Sequence, residues 1–88
     1  MTSATLRQRL ADLVAAVSEG QISATEALAE PESLTTLGLT SLGYLRLVDA
    51  VEREFAVRLD LDGPVRYLET VDGLAGHLLA HGVGAEPA

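Results

Sequence analysis

Apolar residues recur at helical spacing in three stretches of the chain. In residues 3–18, leucine and valine occupy every third or fourth position until the chain reaches Gly20. A second such stretch covers residues 41–56, and a third covers residues 71–81, directly after the suitable N-cap Thr70. The pattern predicts three longer helices. A chain of 88 residues has room for one small domain, and we expect it to span 1–88.

The long connection over residues 19–40 also contains a helix signal. Ser23, followed three residues later by Glu26, is a capping-box pattern and predicts a short helix there. Pro31 would end that helix, because the residue before a proline is disfavoured in the helical region. We therefore expect a long first loop that contains, at most, one helical turn or two.

The chain between the second and third long helices predicts one more short element. Residues 56–63 alternate between apolar and polar residues, but no other segment offers a partner strand, so we expect an extended loop. Pro64 is a suitable first residue for a short third helix over 64–68. The predicted fold class is all-α, a four-helix bundle with a long first loop and a flexible tail over 82–88.

The composition supports a helical fold and narrows the possible functions. Sixteen leucines and only three aromatic residues suit a helical core better than a β-sandwich. The lack of cysteine excludes disulfides, thiolate nucleophiles and cysteine zinc sites. A net charge of −7 disfavours nucleic acid as a partner. No apolar run approaches the roughly 20 residues of a membrane span. We expect a cytoplasmic protein with no membrane partner.

The helix predicted at 41–56 has two different faces, separated by about 100° of rotation per residue. The core face gathers apolar residues, namely Tyr44, Leu47, Val48, Val51 and Phe55. The opposite face combines leucines with charges, and with the preceding threonine it forms a candidate docking surface: Thr40, Leu42, Leu45, Arg46, Asp49 and Arg53. The alternative is that the two leucines are ordinary exposed side chains, which are common.

Ser41 lies at the start of this helix, shortly after the turn expected at Gly38. A serine ahead of a helical pattern predicts an N-cap whose hydroxyl stays near the surface. The start of a helix has free backbone N–H groups and roughly half a positive charge, which favour a bound phosphate. The position therefore favours a phosphodiester on Ser41.

The stretch LGLTSLGYLRL, residues 37–47, resembles the prosthetic-group site of acyl and peptidyl carrier proteins. The resemblance covers nearly the whole chain, from the first helix to a segment at 70–74 that is similar to the start of the family's last helix. In that family a phosphopantetheinyl transferase moves 4'-phosphopantetheine from coenzyme A onto the serine, and acyl groups are then held as thioesters. The resemblance implies a phosphoprotein modified at Ser41, with no catalytic activity of its own.

The chain departs from the family pattern at three places. Many acyl carriers have aspartate directly before the serine, where this chain has Thr40, so we expect weaker recognition or a permissive transferase. Many relatives have glutamate at the position of Arg46. We therefore do not expect the family's usual contact between an acidic helix and basic partners to apply unchanged. Peptidyl carriers usually have an earlier Gly-Gly pair, which is absent here.

The resemblance implies a monomeric acyl carrier protein in polyketide or related specialised biosynthesis, including antibiotic biosynthesis. Neither end shows a fused domain, so we expect a freestanding carrier, and an excised piece of a larger synthase stays open as the alternative. Its partners would be the transferase and acyl-loading, condensing and tailoring enzymes. An aminoacyl or peptidyl carrier, and a helical adaptor in which Ser41 is only a cap, stay open. A hydrolase is disfavoured because Leu39 stands where the nucleophile elbow needs glycine. A metal site is disfavoured because His77 and His81 lack a third ligand of their kind.

Overall fold

The computed structural model describes residues 3–29, 33–59, 61–63 and 65–83, and these ranges contain helices and loops but no strand. The α-helices are α1 (Ser3–Val17), α2 (Ala24–Leu28), α3 (Leu34–Leu37), α4 (Ser41–Phe55) and α5 (Val71–Ala80), and a 3₁₀ helix covers Arg66–Glu69. The predicted all-α bundle is confirmed, and its three longer helices are α1, α4 and α5. The short helices are more numerous than predicted, because α3 was not expected.

The core is one cluster of apolar side chains in which the inner faces of α1, α4 and α5 meet. The large side chains that are fully buried are Leu6, Leu10, Val14, Ile22, Leu34, Leu47, Val51, Val71, Leu74 and Leu78. No polar or charged residue of the described ranges is buried. The apolar residues that recur at helical spacing in α1, α4 and α5 therefore form most of the core. Apolar burial is the main force that holds the helices together.

The loop between α1 and α4 is organised by two short capped helices. Ser23 Oγ accepts the Glu26 N–H and the Glu26 carboxylate accepts the Ser23 N–H, both at 3.0 Å, which confirms the predicted capping box. Ser33 Oγ accepts the Thr36 N–H at 3.1 Å and begins α3. Gly38 ends α3 in the left-handed conformation, with φ 111°, where glycine has no steric cost.

Two partly exposed ion pairs connect α1 to the other long helices. Arg7 pairs with Asp72 of α5, and Arg9 pairs with Glu54 of α4. The Arg9 guanidinium also lies 5.2 Å from the centre of the Phe55 ring. Phe55 was expected on the core face but is only half-buried. Ion pairs near the surface contribute about 0–1 kcal/mol each, so these pairs orient the helices more than they stabilise the fold.

The chain that follows α4 is held in place by a side chain of that helix. The Glu52 Oε2 atom accepts the Leu59 N–H at 2.8 Å, and the Leu59 side chain is buried. Ala56 ends α4 in the left-handed conformation, with φ 54°. The bond from Glu52 satisfies a backbone donor in a segment without regular structure, which keeps this loop against the bundle.

The remaining predictions differ from the structure in their bounds. The short third helix predicted at 64–68 is observed as the 3₁₀ helix, and Pro64, its expected first residue, lies outside the described residues. Pro31 and residues 84–88 of the predicted tail also lie outside them. None of the helices in the described ranges is both long and apolar enough to cross a membrane.

Candidate functional site at the start of helix α4

Thr40, and not Ser41, is the residue that caps α4. Its backbone is extended, with φ −82° and ψ 170°, and its Oγ1 accepts the Gly43 N–H at 3.1 Å. Its carbonyl accepts the first helical bond, from the Tyr44 N–H, at 2.9 Å. The sequence-based assignment of the cap to Ser41 is therefore wrong by one residue. Ser41 is the first residue inside the helix.

The hydroxyl of Ser41 is exposed and makes no hydrogen bond within the described part of the chain. The serines at three other positions are all engaged with the backbone. Ser18 Oγ accepts the Ile22 N–H at 3.1 Å, and the hydroxyls of Ser23 and Ser33 cap α2 and α3. Ser41 is thus distinguished from them by an oxygen that the fold does not use.

Two residues fix the turn that presents Ser41. Gly38 turns the chain out of α3, and Leu39 then packs beneath the first turn of α4, where it is 5% exposed. A Cβ atom on Gly43 would lie 2.5 Å from the Leu39 Cδ1 atom, closer than atoms can approach. Glycine at position 43 therefore lets Leu39 lie under the helix start, which holds Thr40 and Ser41 in place.

A groove of about 180 Å³ lies beside the start of α4, where the turn after α1 approaches it. Its walls include Glu19, Thr40, Leu42 and Arg46. An Arg46 nitrogen lies 3.8 Å from a Glu19 carboxylate oxygen, and both side chains are largely exposed. The sequence did not reveal this groove, because it depends on how the turn at Glu19 meets α4.

The outer face of α4 is exposed, as the helical arithmetic predicted. Leu42 is 56% exposed and Leu45 is 61% exposed, the two highest values among the exposed large apolar residues of the described ranges. Arg46, Asp49 and Arg53 are exposed beside them, and Arg53 pairs with Asp49 at 3.2 Å, one turn away. The separation of the two faces is confirmed, and the docking role of the outer face stays a prediction.

The comparison with known families agrees with this geometry. A family model described as the phosphopantetheine attachment site matches residues 5–78. The chain belongs to that family. Proteins of this family carry 4'-phosphopantetheine, receive it from phosphopantetheinyl transferases and work with biosynthetic enzymes. The resemblance to carrier proteins is confirmed at this level. No curated protein and no solved structure matches this carrier significantly.

The residues at the start of α4 fit the family's prosthetic group. Ser41 offers an exposed hydroxyl, the atom that a phosphodiester needs. Ser41 and Leu42 belong to the first helical turn, whose N–H groups have no acceptor within a helix, and only that of Gly43 is used by the cap. The groove beside Leu42 and Arg46 leaves open space next to this end of the helix.

A second groove of the carrier lies on another side of α4. It has about 280 Å³ and is lined by Thr35, Tyr44, Val65, Arg66, Leu68 and Glu69. The Tyr44 hydroxyl is hydrogen-bonded to the Thr35 hydroxyl at 3.0 Å across its wall. Tyr44 was expected in the core, but it is half-buried at the core's edge because its polar end reaches this groove.

The two histidines of the carrier stack with each other and with Tyr67. The His77 ring stacks on Tyr67 with 3.7 Å between centroids, and the His81 ring follows at 4.2 Å. Partial burial, and then the neighbouring His81, lower the pKa of His77. No group of three or more potential metal ligands occurs in the described ranges.

Proposed function

We propose that Ser41 holds phosphopantetheine through a phosphodiester and that the chain is an acyl carrier protein. The observation that supports this most is the unused hydroxyl of Ser41, at the first position of α4. Because Thr40 holds the cap, esterification of Ser41 removes no hydrogen bond seen in the described chain. The positive end of the helix dipole favours the phosphate at this position.

The same observation argues against an unmodified helical adaptor. In an adaptor, the serine at the start of α4 would be explained by its role as the cap. Thr40 has that role, so the serine beside it needs another explanation. Modification of Ser41 provides one.

We infer that the chain is not itself an enzyme. It positions the hydroxyl of Ser41 and offers a surface to the enzymes that act on the bound group. When bound, the prosthetic group supplies a thiol that holds acyl groups as thioesters. Gly43 and Thr40 fix the start of α4, so that the Ser41 hydroxyl is always presented at the same place. Leu42 and Leu45 provide an apolar surface beside it on which partner enzymes can dock.

The proposal extends to the pathway that this carrier serves. We infer polyketide or related specialised biosynthesis, including antibiotic biosynthesis, with acyl-loading, condensing and tailoring enzymes as partners of a monomeric carrier. The departures at Thr40 and Arg46 from the pattern common in acyl carriers support a specialised pathway. The cytoplasmic location is part of the same proposal, because modification requires coenzyme A and the transferase in one compartment.

The attachment site is tested by weighing the intact protein. Wild type, Ser41→Ala and Ser33→Ala are each incubated with coenzyme A and a broad-specificity transferase. We expect one phosphopantetheinyl group on wild type and on Ser33→Ala, and none on Ser41→Ala. Circular dichroism shows whether each variant is folded. A mass gain on Ser41→Ala, or no gain on folded wild type with several transferases, would contradict the proposal and favour the adaptor.

A further inference from the structure

The groove of about 180 Å³ between the turn after α1 and the start of α4, here named the first groove, lies next to the attachment residue. Thr40 and Leu42, the chain neighbours of Ser41 on either side, both line it. Consecutive Cα atoms are about 3.8 Å apart, so a group bound to Ser41 starts within a few ångströms of the edge of the groove. The first atoms of a flexible group attached there can therefore enter it.

The size of the first groove suits one segment of phosphopantetheine. Its volume equals that of roughly six water molecules, which is too little for the whole arm and enough for a short segment. The segment next to the phosphate has a carbon with two methyl groups, then a hydroxyl, and then the first of the arm's two amides. It therefore needs apolar surface and unused hydrogen-bonding groups close together.

The apolar surface of the first groove is formed by Val17, Leu39 and Leu42. Leu39 is buried beneath the helix start, Val17 is half-buried, and Leu42 is more than half exposed. Methyl groups that lie against Val17 and Leu42 cover apolar surface that otherwise meets water, which is favourable.

The polar side of the first groove carries side chains that the fold does not fully use. The amide of Gln21 is exposed and makes no hydrogen bond within the described part of the chain. It can donate to the carbonyl of another amide and accept its N–H. The charges of Glu19 and Arg46, 3.8 Å apart, offset each other. The groove therefore suits an uncharged ligand that contains amides.

The turn that forms the polar side is held in one shape by hydrogen bonds. Glu19 and Gly20 both have left-handed backbones, with φ 56° and φ 82°. The Gly20 N–H donates to the Ala15 carbonyl at 2.9 Å, and Ser18 Oγ accepts the Ile22 N–H at 3.1 Å. The groove is thus formed before a ligand enters it, and no free energy is lost in ordering the turn.

Attachment to Ser41 makes weak contacts in the first groove sufficient. A group on a short flexible linker meets its site at an effective concentration in the millimolar range. A groove that would bind the free segment with a Kd of about 1 mM is therefore about half filled by the tethered one.

The second groove fits this segment less well. Neither chain neighbour of Ser41 lines it. The two hydroxyls on its walls, those of Thr35 and Tyr44, are bonded to each other at 3.0 Å. An amide that used these hydroxyls would have to replace a hydrogen bond that the fold already makes.

We propose that the first groove holds the segment of phosphopantetheine next to the phosphate, with its methyl groups against Val17 and Leu42 and its first amide at Gln21. This inference rests on the proposed modification of Ser41. The arm then leaves Ser41 in a fixed direction, towards the turn after α1. The thiol end stays outside the groove, where partner enzymes can reach it.

NMR of the carrier before and after modification tests this placement. The protein is isotope-labelled, and the arm comes from unlabelled coenzyme A. We expect the backbone amide signals of Glu19 and Gly20 to shift on modification, although both residues are far from Ser41 in sequence. Isotope-filtered NOE spectra should show contacts from the methyl groups of the arm to those of Val17 and Leu42.

Three results of these spectra would overturn the placement. Contacts from the arm to Val65 or Leu68 would place it in the second groove. The absence of contacts to Val17 and Leu42 would leave the arm outside the first groove. A shift at Glu19 that appears only after an acyl group is loaded onto the thiol would show that the cargo, and not the arm, occupies the groove.

Gln21→Ala removes the proposed partner of the arm's amide. Loss of one hydrogen bond should weaken binding roughly fivefold, so the shift changes at Glu19 and Gly20 should become roughly threefold smaller. Gln8→Ala is the matched control, because Gln8 is exposed on α1, is hydrogen-bonded to Asp12 there and does not line the groove. It should keep the wild-type shift changes. Equal shift changes in wild type and Gln21→Ala would contradict the inference.

The outcomes separate this inference from the proposed function, because the intact mass of each sample is measured first. One phosphopantetheinyl group on Ser41, with no shift change at Glu19 and no contact with Val17, overturns the placement of the arm and leaves the carrier function intact. No mass gain on folded wild type with several transferases overturns both proposals. The amide spectra show whether each variant is folded.

Discussion

Helices α4 and α5 begin with the same local structure. In each, a threonine caps the helix by accepting the N–H of a glycine three residues later. The distance is 3.1 Å from Gly43 to Thr40 and 2.9 Å from Gly73 to Thr70. In both helices a Cβ atom on the glycine would lie within 3 Å of a preceding residue, of the Leu39 side chain at Gly43 and of the Tyr67 backbone at Gly73. The two helices therefore begin with the same residue types and the same capping hydrogen bond.

The residues that follow the two caps have opposite environments. After Thr70, Val71 is fully buried and Asp72 pairs with Arg7 of α1. After Thr40, Ser41 and Leu42 are both exposed, with no such contacts. The comparison shows that the cap determines where each helix begins. The first residue after the cap determines whether the helix start is buried in the core or exposed to solvent. The start of α5 is anchored in the core, and the start of α4 is left exposed.

The largest effect should come from exchanging the first residues of the two helices. Val71→Ser removes a buried side chain and places a hydroxyl in the core, so we expect a loss of about 3 kcal/mol in the free energy of unfolding. Ser41→Val should change it by no more than about 0.5 kcal/mol, because the side chain is exposed, while preventing modification. Urea denaturation measures both. Equal losses of unfolding free energy in the two variants would show that positions 41 and 71 do not differ in burial.

Substitution by alanine should lower stability by different amounts at Gly43 and Gly73, the two glycines whose N–H groups donate to the threonine caps. At Gly73 the new Cβ would lie 2.7 Å from the Tyr67 carbonyl oxygen, a backbone atom that cannot rotate away. We expect Gly73→Ala to cost about 2 kcal/mol. At Gly43 the obstacle is the end of the Leu39 side chain, which can move, so we expect about 1 kcal/mol.

Gly76 provides the control for these substitutions. It is an exposed helical residue of α5, and a Cβ atom there would meet nothing within 4 Å. Alanine at this position should stabilise the protein by about 0.5–1 kcal/mol, because alanine has the higher helix propensity. Thermal unfolding of the three variants gives their order, and a stabilised Gly73→Ala would contradict the close approach of the 3₁₀ helix to α5.

The two threonine caps should be equally important for stability and differ in their effect on modification. Thr40→Ala and Thr70→Ala each remove one capping bond and should cost about 1 kcal/mol. Thr40→Ala keeps the Ser41 hydroxyl, so it should still be modified, more slowly where the helix start frays. Intact mass after timed incubation with coenzyme A and transferase measures this. A complete block by Thr40→Ala would mean that Thr40 has a direct role in the reaction.

The smallest expected effect is the pH dependence of α5. Burial and the neighbouring His81 lower the pKa of His77 below its ordinary 6.5, so the folded state favours the neutral ring. The contribution of His77 to stability is therefore full above pH 6.5 and is lost as the pH falls through that value towards the folded pKa. We expect a lower unfolding midpoint at about pH 5.5 than at about pH 7.5.

His77→Gln is the variant that checks this origin. It removes the titrating ring from the stack on Tyr67 and should reduce the difference between the two midpoints. Titration of the His77 ring by NMR gives its pKa in the folded protein directly. An ordinary pKa, or a midpoint difference that His77→Gln leaves intact, would contradict the account.

Much of the fold could be predicted from the sequence, because the buried stripes of α1, α4 and α5 have a clear helical period. Both helix faces of α4 followed from the same period. The helix α3 was missed because four residues are too short to show a period. Its end signals, Ser33 before it and Gly38 after it, were nevertheless present in the sequence.

The location of the attachment site at Ser41 stays a prediction, and the local structure around it was predicted only in part. Thr40 and Ser41 are adjacent hydroxyl residues, and local preference suits either as a cap. The choice depends on where α4 begins, and in the structure Thr40 Oγ1 is the acceptor of the Gly43 N–H. The weak contact between Arg46 and Glu19 depends on a turn that is distant in sequence, and such a tertiary contact leaves no local signal.

The unused hydroxyl of Ser41 also makes this position suitable for protein engineering. The chain has no cysteine, so Ser41→Cys introduces a single thiol at the exposed start of α4, and the cap on Thr40 is left in place. A maleimide joined to a pantetheine mimic that holds its acyl group through an amide would react there by addition of the thiol, and thioesterases cleave neither the resulting thioether nor the amide. The product is a uniformly loaded carrier with a permanent cargo, suited to trapping each partner enzyme in turn for structure determination.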